Sequence, residues 1–335
     1  MMTRSAVNRI QDVKPFCRTI IPTRRIPDLI EDVRNGLLIP PRHLPPKYFY
    51  DELGSGLFEL ICATADYYPT RTEDALLTRY SDDIIARTMP EQIIELGSGS
   101  SRKTRRLFDA CEANAHECNY TPIDVCATAL EQAAGELSED YRWLDVTPLA
   151  GDYHAGLGNL PAGSGTSLYV FLGSTIGNFE PRQAEAFMRE ISDCMKTDDW
   201  FLLGADRVKD SEVLKAAYND SDGVTAQFNL NVLRVLNREL HADFDPALFV
   251  HEAVFNEGLS RIEMYLRSLV EQDIRLGTLQ KTIHLQRGER ILTELSHKFT
   301  PAKLQALLQA GGLEMVRHYQ PDNCYFSLIL ARRPA

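Results

Sequence analysis

Residues 93–104 read "IIELGSGSSRKT": an apolar run, an acid, two glycines one residue apart, then small polar residues and a basic helix start. Glycines so spaced let a ligand lie against the backbone, since neither Gly97 nor Gly99 carries a side chain to hold it off. A dinucleotide-binding turn would need a third glycine where Arg102 stands, and a Walker-type phosphate loop would need a second glycine followed by Lys-Ser/Thr at fixed spacing. Both are missing, so the turn does not cradle a pyrophosphate. Later segments offer further polar chemistry. Asp124 ends the next apolar run and Asp152 and Tyr153 follow the one after, supplying two hydrogen-bond acceptors and an aromatic face.

These residues need a scaffold, and the hydrophobic pattern supplies one. "QIIELG" precedes the helical "SRKTRRLFDACEA", "NYTPIDV" precedes "CATALEQAAGEL", and a short strand is expected near Trp143–Val146. "SLYVFLG" precedes "PRQAEAFMREISDCM", and "DWFLLGAD" follows. Apolar strands separated by helices predict a parallel sheet covered on both faces, with ligands at the carboxyl ends of its strands. After Asp206 the alternation stops. Residues 210–257 read as helical, "RIEMYLRSLVEQDIRL" and "KTIHLQR" as strands, and the chain returns to a helix, "TPAKLQALLQAGG", and two terminal strands. Upstream, "IPDLIEDVRNGLL" has helical periodicity with Asp28 as its cap, a short helix starts near Ser55, and another is expected to be capped by Thr70 with Glu73 completing a capping box.

Composition limits the partners. The chain has 335 residues, a formal net charge of −11 and 44% hydrophobic residues, which suits a globular protein and argues against nucleic acid as a ligand. Seven scattered cysteines without CxxC spacing predict reduced thiols and a cytoplasmic protein, and neither they nor the eight histidines have metal-ligand spacing. No apolar leader and no long apolar stretch is apparent, so neither export nor membrane insertion is expected.

The E-x-G-x-G turn, followed by Asp124 and Asp152 in strand order, resembles that of S-adenosylmethionine-dependent methyltransferases. There the turn needs close backbone approach to an amino-acid tail and a ribose; Asp124 would accept from the ribose hydroxyls, Asp152 from the adenine amino group, and Tyr153 would pack on the ring. Longer motifs narrow the resemblance: "LPPKYFYDELGSGLFELI", "YYPTRTE", "ELGSGSSRKT", "VFLGSTIGNF", "YNDSDGVTAQFNLNVL", "NRELHADFD", "RIEMYLRS" and "LTELSHKF". From about Val33 to Arg332 the chain resembles the L-histidine Nα-methyltransferases of ergothioneine biosynthesis.

That resemblance implies an α/β fold: a Rossmann-like class I methyltransferase sheet ending in an antiparallel hairpin, with a smaller inserted α+β substrate domain. It assigns 71–207 and 299–335 to the S-adenosylmethionine-binding part, 18–70 and 208–298 to the substrate part, and 1–17 to a loosely ordered arm. It implies three successive methylations of the α-amino nitrogen of L-histidine, giving hercynine, in a monomer that uses S-adenosylmethionine as cosubstrate and no metal. Carried over by position, Gly97, Lys103, Asp124, Asp152 and Tyr153 hold the cofactor. Asn178 and Tyr218 hold the substrate carboxylate, and Tyr50 with the Gly173 carbonyl lies near the α-amine, so Tyr50, Asn178 and Gly173 form the catalytic group. Tyr67, Glu294 and Ser296 contact the imidazole, and Thr225 and Met264 line the same pocket. Within the class, a methyltransferase for tryptophan or another modified amino acid is the alternative. A nicotinamide oxidoreductase is disfavoured by Arg102, and a catalytically silent cofactor sensor by the presence of Tyr50, Asn178, Tyr218 and Glu294.

Overall fold

The computed structural model describes residues 17–160, 163 and 165–334. The arm expected at 1–17 lies outside the described residues except for Cys17. The larger sheet is built on four parallel strands: β3 (Gln92–Leu96), β4 (Asn119–Asp124), β7 (Ser167–Phe171) and β8 (Trp200–Asp206). Residues Gln92–Leu96 and Ser167–Phe171 are buried throughout, which is why their sequences read as unbroken apolar runs rather than alternating ones. β15 (Phe326–Arg332) runs antiparallel to β8 and β14 (Glu314–Tyr319) antiparallel to β15, forming the terminal hairpin. On the far side lie β5 (Asp145–Val146), β6 (Leu149–Ala150) and β1 (Arg18–Thr19), giving nine strands in the order β1-β6-β4-β3-β7-β8-β15-β14 with β5 beside β4. The chain leaves β3 first towards β4 and returns on its other side as β7, so strand order reverses at β3 and opens a crevice above Gly97.

Helices α3 (Tyr68–Thr88), α4 (Arg105–Ala113) and α5 (Ala127–Asp140) cover one face through Leu77, Ile84, Phe108 and Leu137. Helices α6 (Pro181–Cys194) and α9 (Pro301–Ala310) cover the other through Phe187, Ile191, Leu304 and Leu308.

A second lobe has its own core. Its sheet runs β2 (Arg42–His43), β13 (Arg290–His297), β10 (Arg261–Ser268), β9 (Phe249–Asn256), with a separate hairpin of β11 (Gln272–Leu276) and β12 (Lys281–Leu285). Around it pack α1 (Leu29–Gly36), α2 (Glu52–Ala63), α7 (Ser211–Ala217) and α8 (Val224–Leu240). Asp28 and Glu31 form a complete capping box on α1.

Three sequence expectations need correction. Residues 210–257 are not helical throughout: α8 ends at Leu240, and Phe249–Asn256 is a strand paired with β10. The helix stops at His241, whose φ of 50° is left-handed, Pro246 opens a separate 3₁₀ turn, and the stretch that follows has the extended partner it needs in β10. The helix expected at Thr70 begins at Tyr68, and no capping box forms there. Thr70 instead lies 3.2 Å from the Cys62 sulfur while Glu73 is fully buried, one helical turn before Leu76 and Leu77 on the inward stripe. Finally, Arg18–Thr19, expected in the substrate part, pairs with β6 at the edge of the larger sheet.

Candidate active site

The crevice at β3 is shaped by backbone. Gly97 and Gly99 have φ of +68° and +52°, the left-handed region that favours glycine. The ring of Tyr153 lies 3.5 Å from where a Cβ on Gly97 would stand. Beneath the turn, buried Glu95 accepts from Thr104 at 2.7 Å and from Tyr120, whose hydroxyl also meets Ser101 at 2.8 Å. Burial pushes the Glu95 carboxyl up to about 7 despite these bonds, so the floor of the turn is polar, closed and internally paired.

Asp124, at the end of β4, accepts from the Gly99 N–H at 2.9 Å and the Cys126 N–H at 3.0 Å. Burial raises its carboxyl above the usual range, and these backbone donors oppose the rise. A carboxylate has about four acceptor positions, so two remain for a vicinal diol. Asp152 caps the short turn Tyr153–Ala155 by accepting from the His154 N–H at 2.8 Å. Tyr153 is walled by Phe171, Phe179 and Phe187, with ring centroids 5.6–6.3 Å away. Neither cation of the turn is unpaired: Lys103 is bound to Glu73, and Arg102 approaches Glu59 of α2 at 3.5 Å. A turn with engaged cations and partly accessible acceptors fits a phosphate-free nucleoside, and its acidic surroundings suit a sulfonium cation.

Glu73, expected from the sequence only to cap a helix, belongs instead to the site. Both its oxygens lie 2.9 Å from the Gly173 nitrogen, and it also pairs with Lys103, whose carry-over role was the cofactor carboxylate. Its carboxylate runs past Gly204 of β8, where an added Cβ would stand 1.9 Å from Oε1. Gly173, with φ +74°, therefore has its N–H anchored in the interior, which leaves its carbonyl as the free pole of the residue.

The substrate lobe contributes an edge of β13. An extra residue at Thr293 interrupts pairing with β10, so that Met264 stands directly opposite Glu294 and Ile262 opposite Ser296. Glu294 makes no side-chain hydrogen bond among the described residues, and burial pushes its carboxyl up to about 7, against the pull of Lys298. Ser296 lies 2.7 Å from the Tyr218 hydroxyl. The 3₁₀ turn Thr175–Asn178 docks on this strand because Gly177 has no side chain: a Cβ there would sit 2.8 Å from the His297 carbonyl and 3.4 Å from the Ser296 hydroxyl. Asn178 is thereby carried to the same edge, with no side-chain hydrogen bond of its own among the described residues.

Aromatic rings close the space between the halves. Tyr50 lies edge-on to Phe58 and Phe228 at 5.8 and 5.6 Å, and Tyr67 edge-on to Tyr218 at 6.1 Å. Burial holds the Tyr50 phenol well above its usual range, and the nearby charges of Glu294, Tyr153 and Asp124 add to the rise. Tyr50 is thus within electrostatic reach of both Asp124, beside the glycine turn, and Glu294 on β13. Thr225 is buried on α8, but its backbone is bonded to Asp220 and not to that edge.

Two more residues escaped the sequence reading: Lys298, which donates to Tyr218 and Ser296, and Asp206, which pairs with it. Strand periodicity contained a signal, since Glu294, Ser296 and Lys298 alternate and so share a face.

Comparison with known proteins accords with this geometry. A family described as "Histidine-specific methyltransferase, SAM-dependent" matches residues 29–333. The histidine N-alpha-methyltransferase of Mycobacterium tuberculosis is 42% identical over 305 residues, covering 91% of this chain and 95% of that protein. The ergothioneine biosynthesis protein 1 of Schizosaccharomyces pombe is 27% identical over 289 residues, or 83% of this chain and 37% of that protein. The L-tryptophan methyltransferase trpM of Psilocybe serbica is 27% identical over 336 residues, or 91% of this chain and 93% of that protein.

Proposed function

This chain belongs to the histidine-specific, S-adenosylmethionine-dependent methyltransferase family, and we propose that it methylates the α-amino nitrogen of L-histidine three times to give hercynine, the first step of ergothioneine biosynthesis. The observation that carries the substrate is Glu294: a half-buried carboxylate with no side-chain hydrogen bond among the described residues, two residues from the Ser296 hydroxyl on the same strand. A partly desolvated acid without a donor is disfavoured, and an imidazole N–H is a donor that relieves it. An indole also carries one N–H, so a tryptophan-type substrate is the competing reading. The histidine reading is favoured by the polar character of the Glu294–Ser296 edge, which an indole would leave partly unsatisfied.

S-adenosylmethionine supplies, when bound, a methyl group already activated on a sulfonium. The protein's work is then to orient, desolvate and deprotonate. Gly97 and Gly99 allow close approach, Asp124 and Asp152 accept from the nucleoside, and Tyr153 packs on its ring. In this reading Lys103 serves the cofactor carboxylate only by sharing itself with Glu73. Asn178 and Tyr218 hold the substrate carboxylate, Glu294 and Ser296 hold the imidazole, with Tyr67, Thr225 and Met264 around it. Holding two reacting centres in line contributes about 7–11 kcal/mol.

The nucleophile must be the neutral amine. Burial and a neighbouring cation both disfavour its ammonium form. Tyr50 is itself held protonated by burial, so it is no base near neutrality; it orients the amine with the Gly173 carbonyl, and the proton leaves through water. We further propose that the protein is cytoplasmic, a reading supported by seven free cysteines, and that it works as a monomer without a metal. No helix among the described residues is long and apolar enough to cross a membrane. Methyl-acceptor assays with histidine and tryptophan side by side test the assignment: histidine should be consumed, and preference for tryptophan would overturn it.

A further inference from the structure

Beneath the Tyr218–Ser296 pair lies a charged cluster that the reaction as described does not use. The Lys298 side chain is fully buried. Its ammonium lies 2.8 Å from the Tyr218 hydroxyl, 2.9 Å from the Ser296 hydroxyl and 2.9 Å from Asp206 Oδ2. An ammonium has three protons, and here all three are engaged. Asp206 in turn accepts from Tyr68 at 2.7 Å and is shared with Lys209, so two lysines meet on one buried carboxylate. Tyr218 is held from its other end as well: His251 Nε2 lies 2.8 Å from the Tyr218 carbonyl, and His251 Nδ1 lies 2.8 Å from the Asn229 amide.

Counting protons gives this arrangement a direction. Lys298 has no lone pair, so both hydroxyl oxygens must accept from it. The two hydroxyls are also 2.7 Å apart, so one of them donates to the other. One O–H is left over, and its hydrogen has no partner inside the cluster. We propose that Lys298 is a positioning residue that makes Tyr218 and Ser296 a single oriented donor, aimed at the carboxylate of the amino-acid substrate. The proposal rests on the histidine reading above, in which Tyr218 meets that carboxylate. A cation thus stands one hydrogen bond behind the neutral groups assigned to that carboxylate, partly neutralised by Asp206. Without Lys298 either hydroxyl can turn its lone pair outward, and the bias towards an anion is lost.

A double-mutant cycle on histidine binding, measured by calorimetry with S-adenosylhomocysteine present, tests the idea. Lys298→Met should weaken histidine binding about tenfold or more, the scale of a lost hydrogen bond to a charged group. Its affinity for S-adenosylhomocysteine should stay within about threefold of wild type, and on a Tyr218→Phe background the same change should cost histidine less than about threefold, because the residue acts through Tyr218. If Lys298→Met does not bind S-adenosylhomocysteine, the triple variant Lys298→Met/Asp206→Asn/Lys209→Met, which removes all three buried charges of the cluster, takes its place. Loss of cofactor-product binding in both variants would make Lys298 a folding residue and overturn the proposal. So would losses that simply add across the cycle, or unchanged histidine binding. Failure of the wild-type protein to bind histidine would instead strike the substrate reading, and with it the premise of this one.

Discussion

Replacing Glu294 by Gln should make the free protein more stable and a worse enzyme, and the two effects should separate by pH. The Glu294 carboxyl rises from an ordinary 4.5 to about 7, chiefly through burial. A raised acid means that the fold binds this proton more tightly than the unfolded chain does. The resulting stability is complete below pH 4.5 and is lost as pH rises through about 7. At about 1.4 kcal/mol per unit the loss has a ceiling of about 3.5 kcal/mol. The side chain keeps some access to solvent, so about 1–2 kcal/mol is the expected size. Gln cannot ionise, so the variant should melt about 2–4 °C higher than wild type at pH 8 and within a degree or so of it at pH 5. Histidine affinity should fall about 10- to 100-fold, since a hydrogen bond to a charged group is worth about 1.5–3 kcal/mol. Differential scanning calorimetry at both pH values, with titration of histidine at pH 8, measures both arms. Parallel pH profiles for wild type and variant, or unchanged histidine affinity, would refute the picture of an unpaired acid kept for the substrate.

Tyr50→Phe should slow turnover while leaving S-adenosylhomocysteine binding largely intact; unchanged turnover in a steady-state assay would remove the hydroxyl from the mechanism. Asp124→Asn replaces a double acceptor at the end of β4 and should weaken S-adenosylhomocysteine about 10- to 100-fold by calorimetry, with histidine binding to the preformed product complex much less affected. Gly204→Ala would drive a Cβ to 1.9 Å from Glu73 Oε1, so it should destabilise the fold by about 1–3 kcal/mol in thermal melts. It should also lower turnover by releasing the Gly173 N–H, and a silent substitution would show that Glu73 has room to move.

The parallel sheet was legible in the sequence because β3 and β7 are buried on both faces and therefore unbroken in their apolar pattern. The glycine turn was legible because its conformation demands glycine at Gly97 and Gly99. Phe249–Asn256 was misread because its fold depends on β10, a partner that no local pattern reports. Much of the substrate lobe's edge was assigned through the family resemblance, since Asn178, Tyr218 and Glu294 come from three separate segments and meet only in the folded chain. Lys298 went unnoticed, and Glu73 was read only as a helix cap, for the opposite reason. Charged residues on apolar stripes look like interruptions until their buried partners, Gly173 for the one and Asp206 for the other, are seen.

The most direct test of the account is mass spectrometry of a reaction containing L-histidine and S-adenosylmethionine, with fragmentation to locate the added groups. The expected products carry one, two and then three methyl groups on the α-nitrogen, with the imidazole unchanged. Methylation of the ring, or no methylated histidine while tryptophan is consumed, would contradict it.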